Sequence, residues 1–198
     1  MAEITLEMIQ RLRERTGVGM MDCKKALVET KGDMDKAIEF LRKKGAAIAE
    51  KRAGNVTKHG VIHSYIHAGA QIGVLVEINC ETDFVARTEA MTQFARDICM
   101  QIAAARPLCV NPEDLDPQFL EKEKQILTEQ LRSSGKPEQM LEKILVGKLE
   151  KLYTEVCLMR QSFIKDDKIT VDDLLKDLIA KLGEKITVRR FARFEVGA

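Results

Sequence analysis

Three histidines, His59, His63 and His67, recur at every fourth residue. On a helix that spacing would bring three imidazoles to one face and offer ligands to a metal. From Val61 onward, however, apolar and polar positions alternate with the period of a strand. The histidines are therefore expected at the surface or facing a partner, with no metal and no cofactor. Five cysteines, Cys23, Cys80, Cys99, Cys109 and Cys157, lack the two-residue spacing of zinc or redox sites. They are expected as reduced thiols in the core or at its edge. There is no GxxxxGK[ST] phosphate loop, no GxSxG elbow and no HExxH. Glu81, Asp83 and the histidines form no acid and base cluster along the chain, so no enzyme is expected. Arg42, Lys43, Lys44, Lys51, Arg52 and Lys58 could grip RNA phosphates, yet no aromatic residues are interleaved to stack on bases. A solvated helix face is their expected use, no stable nucleic-acid complex is expected, and an RNA- or ribosome-binding adaptor stands as the alternative reading.

One segment is unusual. Glu77 to Arg87 runs from a strand-like pattern through Glu81-Thr82-Asp83 directly into Phe84, where the chain turns toward a helix. The ring has two homes: under the new helix as core, or projecting beside a carboxylate as a rigid anchor for a partner's pocket. Local pattern leaves both open.

The elements that must position these residues follow from periodicity. Leu6, Ile9 and Leu12 space one helix, which ends at Thr16-Gly17-Val18-Gly19. Met20, Cys23 and Leu27 space a second, and Asp33 caps a third carrying Met34, Ile38 and Leu41 and closing at Gly45. Such short helices must pack together, since nucleation is costly. Residues 46–59 read as a linker, helical in its first half, with a boundary near residue 55. Val61–His67 and Gln71–Cys80 form a hairpin around Ala68-Gly69-Ala70, with Ile72, Val74, Val76, Ile78 and Cys80 on one face. Met91, Phe94, Ala95, Ile98 and Ile102 line a helix ending before Pro107. Asp116-Pro117 opens a helical hairpin, about 117–158, that turns at Ser133-Ser134-Gly135-Lys136-Pro137. Thr170 and Asp173 have capping-box spacing before a helix ended by Gly183. Ile186, Val188, Ala192, Phe194 and Val196 then alternate along a last strand. The expected fold is α+β: a three-helix bundle with its linker over residues 1–55, then a core over 56–198 with a three-stranded, largely antiparallel sheet, helices and the long hairpin.

Composition agrees. In 198 residues, 45% are apolar and 32% charged, enough to build a core. The 32 Lys and Arg against 31 Asp and Glu leave +1, so no whole-molecule field draws the chain to nucleic acid or an anionic membrane. No apolar run approaches a bilayer span, and Met1-Ala2-Glu3 does not open a basic-then-apolar leader, so a soluble cytoplasmic protein is expected.

Leu12 through Leu27, with Thr16-Gly17-Val18-Gly19-Met20-Met21-Asp22-Cys23-Lys24-Lys25, resembles the amino-terminal signature of the bacterial elongation factor Ts family, and Glu77 to Arg87, with Thr82-Asp83-Phe84, resembles its second. The likeness continues through Ala103-Ala104-Ala105-Arg106-Pro107, Gly135-Lys136-Pro137, Phe163-Ile164-Lys165-Asp166 and Arg193-Phe194-Glu195-Val196-Gly197, so it covers essentially the whole chain. It implies a guanine-nucleotide exchange factor that engages elongation factor Tu, both GDP-bound and nucleotide-free. It further implies an amino-terminal bundle similar to ubiquitin-associated domains, docking through Lys24 and Met20. Phe84 would be the wedge that disturbs the partner's magnesium and phosphate elements, Asp83 its polar companion, and Thr82 and Val85 their contact neighbours. His67, in Tyr65-Ile66-His67-Ala68-Gly69-Ala70, resembles a family histidine that meets another domain of the partner. Longer members carry a duplicated core, whereas this chain has one module, so a homodimer through the sheet is expected.

Overall fold

Side-chain caps mark where the first helices begin. Thr5 accepts from the Met8 amide at 3.3 Å and Asp33 from the Lys36 amide at 3.0 Å, each satisfying an otherwise orphaned N–H. The computed structural model describes residues 4–133 and 138–198. Among them α1 (Leu6–Thr16), α2 (Met20–Glu29) and α3 (Met34–Lys51) pack as a bundle around Ile9, Leu12, Val18, Cys23, Leu27 and Leu41.

The third helix departs from expectation, because it does not close at Gly45 but runs on to Lys51. Gly45 is instead a point of close approach: a Cβ there would lie 2.8 Å from both the Ala180 Cβ and the Lys176 carbonyl oxygen. The glycine lets α3 meet α8 (Val171–Leu182) backbone to side chain.

β1 (His59–Ile66) and β2 (Ile72–Cys80) form the expected hairpin, closed by the His67 amide on the Ile72 carbonyl at 2.9 Å. β5 (Ile186–Glu195) completes a three-stranded antiparallel sheet of order β1-β2-β5, its far end held by the Val196 amide on the Gln71 carbonyl. Val74, Val76, Ile78 and Cys80 are buried, as the period-two pattern requires. β5 does not keep one phase. Ile186 and Val188 are buried, Arg189 and Arg190 are both exposed, and beyond them Phe191 and Arg193 are half-buried while Ala192 and Phe194 are exposed. Two exposed residues in succession shift the alternation, as an extra residue in one strand does. The expected single face from Ile186 through Val196 therefore ends at Val188.

α4 (Asp83–Ala86) is one turn long, and α5 (Glu89–Ala105) buries Met91, Phe94, Ala95, Ile98 and Ile102 as its spacing predicts. α6 (Pro117–Ser133) starts where Asp116 accepts from the Gln118 amide, and it packs against α7 (Glu138–Val156) as the expected helical hairpin. The connection predicted at Ser133–Pro137, from Ser134 onward and including Gly135-Lys136-Pro137, lies outside the described residues, as do Met1, Ala2 and Glu3. A small antiparallel pair, β3 (Ser162–Phe163) and β4 (Asp166–Thr170), precedes α8. Buried Gln101 supports it by accepting from the Ile164 amide at 2.8 Å while donating to Gln161 and to the Ser162 carbonyl.

By their contacts the residues fall into two units. One holds the chain up to His63 with Glu77–Asp97 and Asp172–Arg189; the other holds Ser64–Val76, Ile98–Val171 and Arg190–Ala198. All five cysteines are buried and unpaired by disulfide. Burial raises the thiol of Cys99 to about 11 and, with Cys157 beside it at 3.5 Å, that of Cys109 to about 12.

Candidate functional site

Glu81 and Thr82 leave β2 with their polar groups fully engaged. Glu81 accepts from Arg52 Nη1 at 2.8 and 3.0 Å, from Asn55 Nδ2 at 2.9 Å and from the Lys185 backbone amide at 2.6 Å. That backbone donor first, then Arg52 and Asn55, hold its carboxyl below the ordinary glutamate value. Thr82 is gripped from three sides. Its backbone amide donates to Glu184 Oε2 at 3.0 Å, its hydroxyl donates to Glu184 Oε1 at 2.6 Å, and its carbonyl accepts the Cys80 thiol at 3.1 Å. Burial raises the Cys80 pKa and keeps that thiol protonated as a donor.

From this footing Thr82 caps α4, its hydroxyl oxygen accepting from the Val85 amide at 3.4 Å. Val85 and Ala86 are buried, and Thr88 begins the next helix by accepting from the Met91 amide. Phe84, between these anchors, is 82% exposed. Of the two homes open to the ring, it occupies the outward one. Asp83 beside it is half-exposed and pairs with Arg87 at 3.3 Å, one turn along. The arrangement is an anchored turn that carries an exposed aromatic ring beside a carboxylate.

The other sequence-predicted residues sit elsewhere. On α2, Lys24 is exposed, but Met20 is half-buried against the bundle core, on the inner face it shares with Cys23 and Leu27. Its neighbour Met21 is 67% exposed and, with Val28, shares the outward face of Lys24 at helical spacing. Val85 turns inward, so it supports the ring without presenting an apolar face of its own. His67 belongs to the second unit: exposed at the end of the hairpin, its Nδ1 lies 2.9 Å from the Tyr65 hydroxyl. Thr82, Asp83, Phe84 and Val85 thus form one site, Lys24 lies on another element of the same unit, and His67 belongs to the other unit.

Glu184 and Arg52 were not singled out as site residues by local pattern. Glu184 merely follows a helix-ending glycine 102 residues from Thr82, and Arg52 reads as one more basic residue of a helix surface. Of the six basic residues considered for RNA, Arg42 pairs with Asp177, Lys43 with Glu39, Lys44 with Asp22 and Arg52 with Glu81. Phosphates would have to displace these carboxylates. Among the described residues no three His, Cys, Asp or Glu side chains cluster to hold a metal, and no helix is long and apolar enough to cross a membrane.

The family profile described as Elongation factor TS matches residues 7–198. Elongation factor Ts of Desulforamulus reducens is 58% identical over 197 residues, covering 100% of this chain and 91% of its own length. That of Moorella thermoacetica is 59% identical over 189 residues, 96% of this chain and 93% of its own. That of Desulfotalea psychrophila is 53% identical over 195 residues, 98% and 99% respectively. Identity at this level over nearly the whole chain places it, with its exposed Phe84 and its amino-terminal helices, in the elongation factor Ts family of translation elongation factors.

Proposed function

We propose that this protein is the guanine-nucleotide exchange factor for elongation factor Tu. It binds the GDP-bound GTPase, presses Phe84 and Asp83 into the elements that hold magnesium and the nucleotide phosphates, and so promotes GDP release. The observation that carries this reading is the exposure of Phe84 on an anchored turn beside Asp83, where a pre-oriented aromatic ring suits a partner's pocket. No bond is made or broken. By linkage, a factor that binds the nucleotide-free partner more tightly than the GDP complex weakens GDP by the same factor. Magnesium bridges phosphate oxygens to a GTPase, so displacing its ligands removes much of the nucleotide's hold.

The bundle of residues 1–55 serves as the first docking domain, with Lys24 as an exposed cation of α2 and Met20 holding the α2 face in place. His67 provides a separate contact from the second unit, and work on a translational GTPase places the protein in the cytoplasm. A second copy completes the assembly. Ile66, Leu75, Phe194 and Val196, all in the second unit, are exposed by 46–69%. Leu75 points opposite the buried Val74 and Val76, and Ile66 covers Gly73 beside it, which supports a homodimer through the outer face of the sheet.

The test is to load elongation factor Tu with a fluorescent GDP analogue and add the protein. Release accelerated in proportion to the factor, with excess unlabelled GDP present to block rebinding of the label, is the expected result; unchanged release overturns the reading.

A further inference from the structure

Behind Phe84, residues from two distant parts of the chain hold each other, and the exchange reading assigns no role to Glu184. α4 has only four residues, far below the length at which a helix sustains itself, so its direction must be imposed from outside. Glu184 does this with both carboxylate oxygens. It accepts a hydrogen bond from the Thr82 hydroxyl at 2.6 Å and another from the Thr82 backbone N–H at 3.0 Å, which fixes the hydroxyl so that its oxygen accepts from the Val85 amide. In return, the Lys185 backbone amide donates to Glu81 at 2.6 Å, so residues 81–82 and 184–185 clasp each other. Gly183, left-handed at φ +71° with its amide on the Ile179 carbonyl, ends α8 and turns Glu184 out of the helix toward Thr82.

Two charge-assisted hydrogen bonds from one carboxylate to one residue are short and directional. The exposed ring of Phe84 has few contacts of its own to aim it, so its direction is inherited from the backbone of Thr82 through Val85. We infer that Glu184 is a positioning residue for nucleotide exchange, acting through Thr82 to aim Phe84 without touching the partner. The inference rests on the exchange reading of Phe84.

The test compares Glu184→Ala and Glu184→Gln, alone and with Phe84→Ala, in the full chain. GDP release from elongation factor Tu is measured against factor concentration, and amide hydrogen exchange is measured on the free protein. Glu184→Ala is expected to lower the plateau release rate about tenfold, with the half-saturating concentration changed by less than about twofold because docking by the bundle is untouched. Glu184→Gln, which keeps the shape and one acceptor, falls between the two and covers the case in which the alanine variant fails to fold. In the Phe84→Ala background neither substitution should lower the plateau further, since both act through the same ring. Amide exchange at Thr82 and Val85 should quicken by about tenfold or more. An unchanged plateau, or an equal loss with Phe84 already removed, overturns the inference. Wild-type protein that fails to accelerate GDP release overturns the exchange reading instead, and the free-protein arm then still decides the clasp: unaltered amide exchange at Thr82 means that Glu184 does not hold it.

Discussion

Phe84→Ala separates a projecting ring from a structural one, because the two predict opposite pairs of numbers. A fully buried aromatic covers about 150–250 Å². With 82% of Phe84 exposed, only about a fifth of that, roughly 40 Å², is covered within the chain. At about 25 cal/mol per Å² this amounts to ~1 kcal/mol, against about 3–5 kcal/mol for emptying a core phenylalanine site. A change of ~1 kcal/mol moves the melting temperature of a chain this size by about 2–4 °C. Seated in a partner, the same ring would bury roughly 150 Å², or ~4 kcal/mol. If half or more of that acts on the nucleotide-free complex alone, removing the ring slows factor-stimulated GDP release by about 30- to 1,000-fold. The assay pairs stopped-flow release of fluorescent GDP from elongation factor Tu with thermal unfolding followed by circular dichroism. A melting temperature lowered by about 10 °C or more with release still accelerated would refute the reasoning, since it would mean that the ring supports this fold and not the exchange.

Gly45→Ala should destabilise by about 1–2 kcal/mol despite the better helix propensity of alanine, because its Cβ meets the Lys176 carbonyl at 2.8 Å; a raised urea midpoint would show that α8 can retreat. Glu81→Gln should cost stability in a pH-dependent way. The folded carboxyl is held below its ordinary 4.5, so its stabilisation is complete above that value and disappears as pH falls through the lower folded pKa. The gap between wild type and variant in urea unfolding should therefore be open at about pH 7, narrow as pH falls through the lowered folded pKa and close only below it, whereas a gap constant with pH would deny the charge any part. The cysteines should resist thiol reagents in the native state, since all five are buried. With values of about 11 and about 12, Cys99 and Cys109 are roughly 0.1% and 0.01% thiolate at pH 8. Rapid labelling without denaturant would show that the core opens more readily than this packing implies.

Much of the fold is legible in the sequence where a single period governs an element. The α5 face and the buried row from Val74 to Cys80 depend on local spacing alone, and they fall where that spacing puts them. The α2 period already placed Met20 inward with Cys23 and Leu27, so Met21 as the outward methionine was readable from the same helix. What could not be read depends on encounters between distant segments. Gly45 looks like a helix stop because glycine often is one; only the arrival of α8 makes it a contact. The phase change at Arg189 and Arg190 is signalled only by Arg190 and Phe191, which exchange the expected apolar and polar positions while Ala192, Phe194 and Val196 keep the earlier period. Gln101 interrupts an apolar helix face, and its reason is a backbone amide 63 residues away. The exposure of Phe84 was undecidable for the same cause, since its footing is built by Glu184 and by Arg52 and Lys185 through Glu81.

That footing bears on how an exchange factor of this kind has to work. A ring inserted against the magnesium and phosphate elements of a GTPase meets resistance from whatever those elements lose when they move. On a compliant loop, the loop would yield first, and the ring would settle on the partner's surface without disturbing the nucleotide. Displacement therefore requires that deforming α4 be more costly than deforming the partner. Thr82 held at its amide, hydroxyl and carbonyl, with Val85 and Ala86 buried behind it, opposes that deformation on a helix too short to hold its own direction. On the proposed exchange reading the ring and its clasp form one mechanical unit, so weakening either should reduce nucleotide release more than it reduces binding.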